Sequence, residues 1–101
     1  MAPNRSLSKA EVDTRMHLLP SWTHQQNCLQ RSFTFSDFVA AFGFMASVAL
    51  VAERLGHHPD WRNVFNQVHV TLSTHDLGGI SDNDFKLAAA MDQIFRHTPA
   101  A

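Results

Sequence analysis

Asn63-Val64-Phe65-Asn66-Gln67-Val68-His69-Val70-Thr71-Leu72-Ser73-Thr74 reads as a hairpin of two strands. Val68, Val70 and Leu72 alternate with His69, Thr71 and Ser73, the period of two that puts apolar side chains on one face of a strand. A two-residue turn at Asn66-Gln67 pairs Phe65 with Val68. Carried outward through Pro59, that register sets His58 opposite His75. A tight turn joins its strands antiparallel, whereas parallel strands need a long crossover.

The same pattern occurs upstream. Leu29, Phe33 and Phe35 share one parity while Cys28, Gln30, Ser32 and Thr34 share the other, so this segment is a half-buried strand with the Trp22 segment as its hairpin partner. Three helices punctuate the two hairpins. Ser8 and Glu11 form a capping box with Leu7 and Val12 as its staple, opening a helix from Lys9 to about Leu18 that Pro20 stops. Ser36 caps a second helix, in which Phe38, Ala41, Phe42, Met45, Val48, Ala49, Ala52 and Leu55 recur at helical spacing. Gly56 ends it in the left-handed conformation and Pro59 prevents continuation. Ser81 and Asp84 box the last helix, with Phe85, Ala88, Met91 and Phe95 facing inward. The expectation is one α+β domain over residues 1–101 with its core in 7–97. Its order is α-β-β-α-β-β-α, a four-stranded antiparallel sheet with three helices on one face.

Phe44, Leu50 and Val51 lie off the stripe of the second helix and are apolar too. Such a helix is either deeply buried or a subunit interface, and a chain this short has little material to cover both faces. A homo-oligomer, dimer or tetramer, formed through the helix at 36–55 is therefore expected. Hydrophobic residues make up 45% of the chain and charged residues 17%, with a net charge of −1, which excludes a disordered chain and gives no electrostatic footprint for nucleic acid or an anionic membrane. The apolar stretch from Ala40 to Ala52, broken by Gly43 and Ser47, is too short to span a bilayer. Cys28 stands alone, which favours an intracellular setting. Met1 to Leu7 carries no apolar run of the kind a secretory signal needs. A soluble cytoplasmic protein is expected.

The chemistry concentrates in Glu53-Arg54-Leu55-Gly56-His57-His58-Pro59-Asp60-Trp61 and Ser73-Thr74-His75-Asp76. A His-His-Pro after a glycine-ended helix can be a polar stop, mildly favoured by the helix dipole. The hairpin, however, gathers three imidazoles at one end of the sheet beside Glu53. Three histidines can bind zinc, yet neighbouring histidines seldom aim both rings at one ion, and no His-Glu-x-x-His helix or cysteine pair is present. General acid–base catalysis without a metal or cofactor fits better, because close imidazoles titrate near neutrality and separate into an acid and a base. No nucleophile is placed for covalent catalysis, so the expected reaction is proton shuffling such as elimination of water. Trp22 and Trp61 are core or rim aromatics, or a wall for a flat heterocycle.

Glu53-x-x-x-His57-His58-Pro59-Asp60-Trp61, Asn63-Val64, Val68-x-Val70-x-Leu72-x-Thr74-His75, Gly79-Ile80-Ser81 and Asp84-x-x-Leu87-Ala88 together resemble the pterin-4a-carbinolamine dehydratases. Phe42-Gly43-Phe44-Met45 matches as well, and Leu18-Leu19-Pro20 to Trp22 more loosely. The resemblance spans residues 7–96. It implies tetramers built through the central helices and dehydration of 4a-hydroxytetrahydropterin to quinonoid dihydropterin, which recycles the pterin cofactor of aromatic amino-acid hydroxylases. It carries the site histidines onto His57, His58 and His75. A pterin pocket is implied at Gly56 and Ser73-Thr74-His75-Asp76, with Glu53 and Trp22 also against the substrate. Gly56 stands where many relatives carry aspartate or asparagine, and Asn83 where animal members often carry arginine, which puts those two substrate contacts in doubt. The hairpin from Trp22 to Phe35 is shorter than in animal members. Animal members also serve as dimerisation cofactors of a homeodomain transcription factor, so a non-catalytic binding module on the same scaffold is the alternative.

Overall fold

The computed structural model describes residues 5–98. The start of the stretch read above for a signal, Met1 to Asn4, and the end of the expected 1–101 domain lie outside the described residues. The elements are α1 (Lys9–Met16), β1 (Thr23–Gln25), β2 (Cys28–Thr34), α2 (Phe38–Leu55), β3 (Asp60–Val64), β4 (Gln67–Leu72), a 3-10 turn (His75–Leu77) and α3 (Asp82–Arg96). The α-β-β-α-β-β-α order matches the expectation. The strands form one antiparallel sheet in the order β1-β2-β4-β3. The two hairpins meet along β2 and β4, in register from Leu29 opposite Leu72 to Thr34 opposite Gln67. The fold is α+β.

Local chemistry sets the ends of the helices. Glu11 N–H donates to Ser8 Oγ at 3.2 Å while the Glu11 carboxylate accepts Ser8 N–H at 3.0 Å, satisfying two otherwise unpaired groups. Helix α1 stops at Met16, short of Leu18, because the chain tightens there into three-residue turns, with Leu18 N–H on Arg15 and Leu19 N–H on Met16. The cap of α2 is Asp37 rather than Ser36: its Oδ1 accepts Ala40 N–H at 2.8 Å. Gly56 closes α2 at φ 64°, the conformation a Cβ disfavours. The β1–β2 turn is Gln26-Asn27, with both residues at positive φ, as a type I′ hairpin requires.

The core lies between one face of the sheet and the helices. Leu29, Phe33, Val68, Val70 and Leu72 meet Val12, Ala41, Phe44, Val48, Ala52, Leu87, Ala88 and Met91. The inward stripe of α2 is thus Ala41, Phe44, Val48 and Ala52. Phe44, read from sequence as off the stripe, is fully buried against Phe33 and Phe35 at centroid distances of 4.7 and 5.0 Å. Phe38 and Phe42, read as on it, are exposed, as are Val39 and Leu50. Helix α2 is long and apolar enough in length and composition to cross a bilayer, but here one of its faces packs on the sheet and α3.

The register of the β3–β4 hairpin differs from the expectation. Val68 faces Asn63, not Phe65, and the turn is Phe65-Asn66. Asn66 is engaged elsewhere: its carbonyl accepts Phe35 N–H at 2.8 Å and its side-chain amide donates to Phe35 O at 3.0 Å. Asn63 completes the turn by donating to Phe65 O and Gln67 O. Phe65 is held at φ 50°, a costly backbone for a bulky residue. The ladder therefore does not place His58 opposite His75, since β3 starts only at Asp60 and β4 ends at Leu72.

Candidate active site

Gly56 reverses the chain at the end of α2, so His57 and His58 leave the helix in different directions. His57 turns inward, with 11% of its side chain exposed, and its Nε2 lies 2.5 Å from Oδ1 of Asp84, a carboxylate with no exposed surface. His58 turns outward and shares its Nε2 with Glu53 Oε1 at 2.9 Å, their side chains 66% and 82% exposed. Two adjacent imidazoles therefore receive two different carboxylates, one dry and one wet. A carboxylate only accepts hydrogen bonds, so the Nε2 of each ring carries a proton and Nδ1 is left for other partners.

His75 is joined to this group only through its chain neighbour Thr74, and its own ring is exposed. It opens the 3-10 turn that follows β4 instead of ending the strand. The preceding Thr74 donates its hydroxyl to Asp84 Oδ2 at 2.7 Å and accepts from Ser81 Oγ at 2.6 Å. Ser81 N–H also binds Asp84 Oδ2 at 2.9 Å. Asp84 thus caps α3 with one oxygen and holds His57 with the other. The loop bearing His75 is closed by the Thr74–Gly79 bridge, with Thr74 N–H on Gly79 O at 2.8 Å.

The structure distributes the other candidates unevenly. Glu53 bonds His58 directly, whereas Thr74 is linked to His57 only through Asp84. Gly56 directly precedes the pair, and Ser73 and Asp76 flank Thr74-His75, half-buried and exposed respectively. Trp22 is a correction. Its ring lies in the core beside Phe33, and its Nε1–H donates to buried Asp92 at 2.8 Å, so it is a structural residue and not a pocket wall. Arg31 completes that buried group with Nη1 2.5 Å from Asp92. Among the described residues no group of three or more His, Cys, Asp or Glu side chains is gathered closely enough to hold a metal. Asp84 is the candidate site residue that sequence reasoning underused. Its capping-box signal was visible, and its partnership with His57 was not.

The sequence matches the family described as pterin 4 alpha carbinolamine dehydratase over residues 5–94. The chain belongs to that family. A Nitrobacter winogradskyi protein provisionally named pterin-4-alpha-carbinolamine dehydratase is 51% identical over 86 residues, 83% of this chain and 85% of its own. A Prochlorococcus marinus (strain NATL2A) protein of the same provisional name is 44% identical over 88 residues, 87% of this chain and 93% of its own. Among solved structures, a Brucella melitensis protein described as a transcriptional coactivator/pterin dehydratase superposes with a TM-score of 0.87 at 42% identity. That match covers 89% of this chain and 98% of the other. A pterin dehydratase-like RuBisCO assembly factor of the alpha-carboxysome shares the fold, with a TM-score of 0.60 at 23% identity over 73% of this chain and 86% of its own.

Proposed function

We propose that this protein dehydrates 4a-hydroxytetrahydropterin to quinonoid dihydropterin and water. The observation that carries the reading is the unequal treatment of the two adjacent imidazoles, His57 on buried Asp84 and His58 on exposed Glu53, with Thr74, the chain neighbour of His75, bonded to the same Asp84. Elimination breaks the C4a–O bond, removes the N5 proton and leaves a C4a=N5 double bond. One group must protonate the departing hydroxyl while another takes the N5 proton, and no electron is exchanged with an outside partner. Histidines in unlike surroundings suit that pair of roles, and each such transfer contributes roughly 10²–10⁴-fold. Gly56, Ser73, Thr74 and Asp76 border the same region and are assigned to the pterin pocket. The site needs neither metal nor cofactor in this reading.

Helix α2 supports self-association as part of the proposal. Val39, Phe42 and Leu50 are 77%, 58% and 74% exposed on its outward face. A groove of about 620 Å³ between α2 and α3, lined by Gly43, Ser47, Ile94 and His97 among others, adjoins that helix. A homo-oligomer, dimer or tetramer, would cover this surface in a cytoplasmic enzyme. The Brucella protein, described as a transcriptional coactivator/pterin dehydratase, supports a second reading, a non-catalytic dimerisation or coactivator module on the same scaffold.

The test adds purified, chelator-treated protein to a phenylalanine hydroxylase reaction and follows the transient carbinolamine absorbance. Decay that accelerates in proportion to protein, with or without chelator, is the expected result. No acceleration by a folded oligomer would refute the enzyme and leave the binding module.

A further inference from the structure

The site is tied to a segment far from it in sequence. Leu7 N–H donates to Ile80 O at 2.8 Å, and Ser6 bridges Ser81 in antiparallel fashion. Ser6 lies so close to Gly79 that a Cβ built there would meet Ser6 Oγ at 2.9 Å. The segment is held at its own base by Arg5, whose two terminal nitrogens bind both Glu11 oxygens at 3.0 and 2.7 Å. Glu11 is at the same time the capping partner of Ser8. A second pair, Arg15 with Asp82, ties α1 to the first turn of α3.

What this segment grips is the scaffold of two histidines. Gly79, Ile80 and Ser81 end the loop that carries His75, and Ser81 feeds the Thr74–Asp84–His57 chain of hydrogen bonds. The Thr74 hydroxyl and the Ser81 N–H share one Asp84 oxygen, so a displacement of Ser81 moves the carboxylate that aims His57. Every link from Leu7 to His57 is a hydrogen bond or a covalent neighbour.

We infer that residues 5–8 form a strap that clamps the 74–81 loop and thereby sets the orientation of the His57 ring and the position of the loop that carries His75, making Leu7 a positioning residue for the reaction. The catalytic part of this inference rests on the dehydratase reading above. Small errors of aim in a proton-transfer site cost rate more than binding.

The test compares Leu7→Pro, which removes the N–H that reaches Ile80, with Leu7→Ala, which removes the side chain and keeps the N–H. Arg5→Ala, at an exposed position, loosens the base of the strap without touching the core. Imidazole ring signals are followed by NMR in full-length protein, alongside carbinolamine decay. Leu7→Pro should shift the signals of His57 and His75 and leave those of His69 and His97 in place. Its kcat should fall roughly threefold to tenfold below that of Leu7→Ala at nearly constant KM, the loss expected for one ordering hydrogen bond. Arg5→Ala should move the same two rings less. Should Leu7→Pro fail to fold, Arg5→Ala decides alone. Ring signals that stay put, or that move while kcat holds, overturn the inference. Ring signals that move in a protein whose wild type does not dehydrate carbinolamine would instead uphold the strap and sink the activity.

Discussion

Replacing Asp84 with asparagine tests the site at its most constrained point. The substitution keeps size and shape but turns one of two acceptor oxygens into a donor. Oδ2 already receives Thr74 Oγ1–H and Ser81 N–H, so asparagine keeps its oxygen there and presents its NH₂ to His57. Two donors cannot face each other, and the ring must give up its Nε2 proton and carry it on Nδ1 instead. A hydrogen bond to a charged partner contributes about 1.5–3 kcal/mol. If that bond serves only the correctly protonated ring, its loss lowers kcat by roughly ten- to a hundredfold. Folding should survive, because the two donors from Thr74 and Ser81 remain satisfied. Asp84→Ala is different: it strands three buried donors, each at about 1–3 kcal/mol, against a typical stability of about 5–15 kcal/mol. Stopped-flow decay of the carbinolamine, thermal unfolding and ¹⁵N spectra of the ring nitrogens read these effects separately. Asp84→Asn with wild-type kcat and an unchanged His57 tautomer would refute the role given to the carboxylate.

Other expectations are simpler. His58→Ala should cut turnover at least about tenfold with unchanged thermal unfolding, since its side chain is 66% exposed and bonds the exposed Glu53; normal turnover in that variant rules out its role. Leu50→Glu on the outward face of α2 should shift the protein to a smaller species in sedimentation, and an unaltered sedimentation coefficient would place the interface elsewhere. The Arg5 hydrogen bond lowers the Glu11 carboxyl from 4.5 to about 2. A carboxyl depressed in the folded state adds stability above its unfolded value, and that stability is lost as pH falls through the folded one. Acid unfolding of α1 and its strap should therefore set in between about pH 4.5 and 2, and Glu11→Gln should flatten that part of a Tm-against-pH curve.

Much of this fold was legible because its punctuation is local. Ser8–Glu11, Ser81–Asp84, Gly56 and the Val68-Val70-Leu72 alternation each act within a few residues, and each appears in the structure. The β3–β4 register was not legible, for a physical reason. A slip by two residues leaves every side chain on its original face, so alternation cannot detect it. Tertiary bonds from Asn66 to Phe35 settle the choice instead. The inward face of α2 was ambiguous because both faces are apolar, and only packing against Phe33 and Phe35 distinguishes Phe44 from Phe42. Glu53 and His58 are near neighbours on the chain, whereas Asp84 is separated from His57 by a hairpin and a loop. Trp22 misled because an indole serves equally as core filler and as a heterocycle's wall, and the buried acceptor that decides, Asp92, lies on α3.

The double duty of Asp84 makes the two carboxylates unequal in evolution. A descendant that abandons the chemistry can drift at His58 and Glu53, whose largely exposed side chains bond each other. It cannot lose the Asp84 oxygen that takes Thr74 Oγ1–H and Ser81 N–H without unseating the start of α3, so only asparagine can stand in for it there. On the dehydratase reading, relatives that give up the reaction should therefore keep an aspartate or asparagine at this position long after the outward pair has gone.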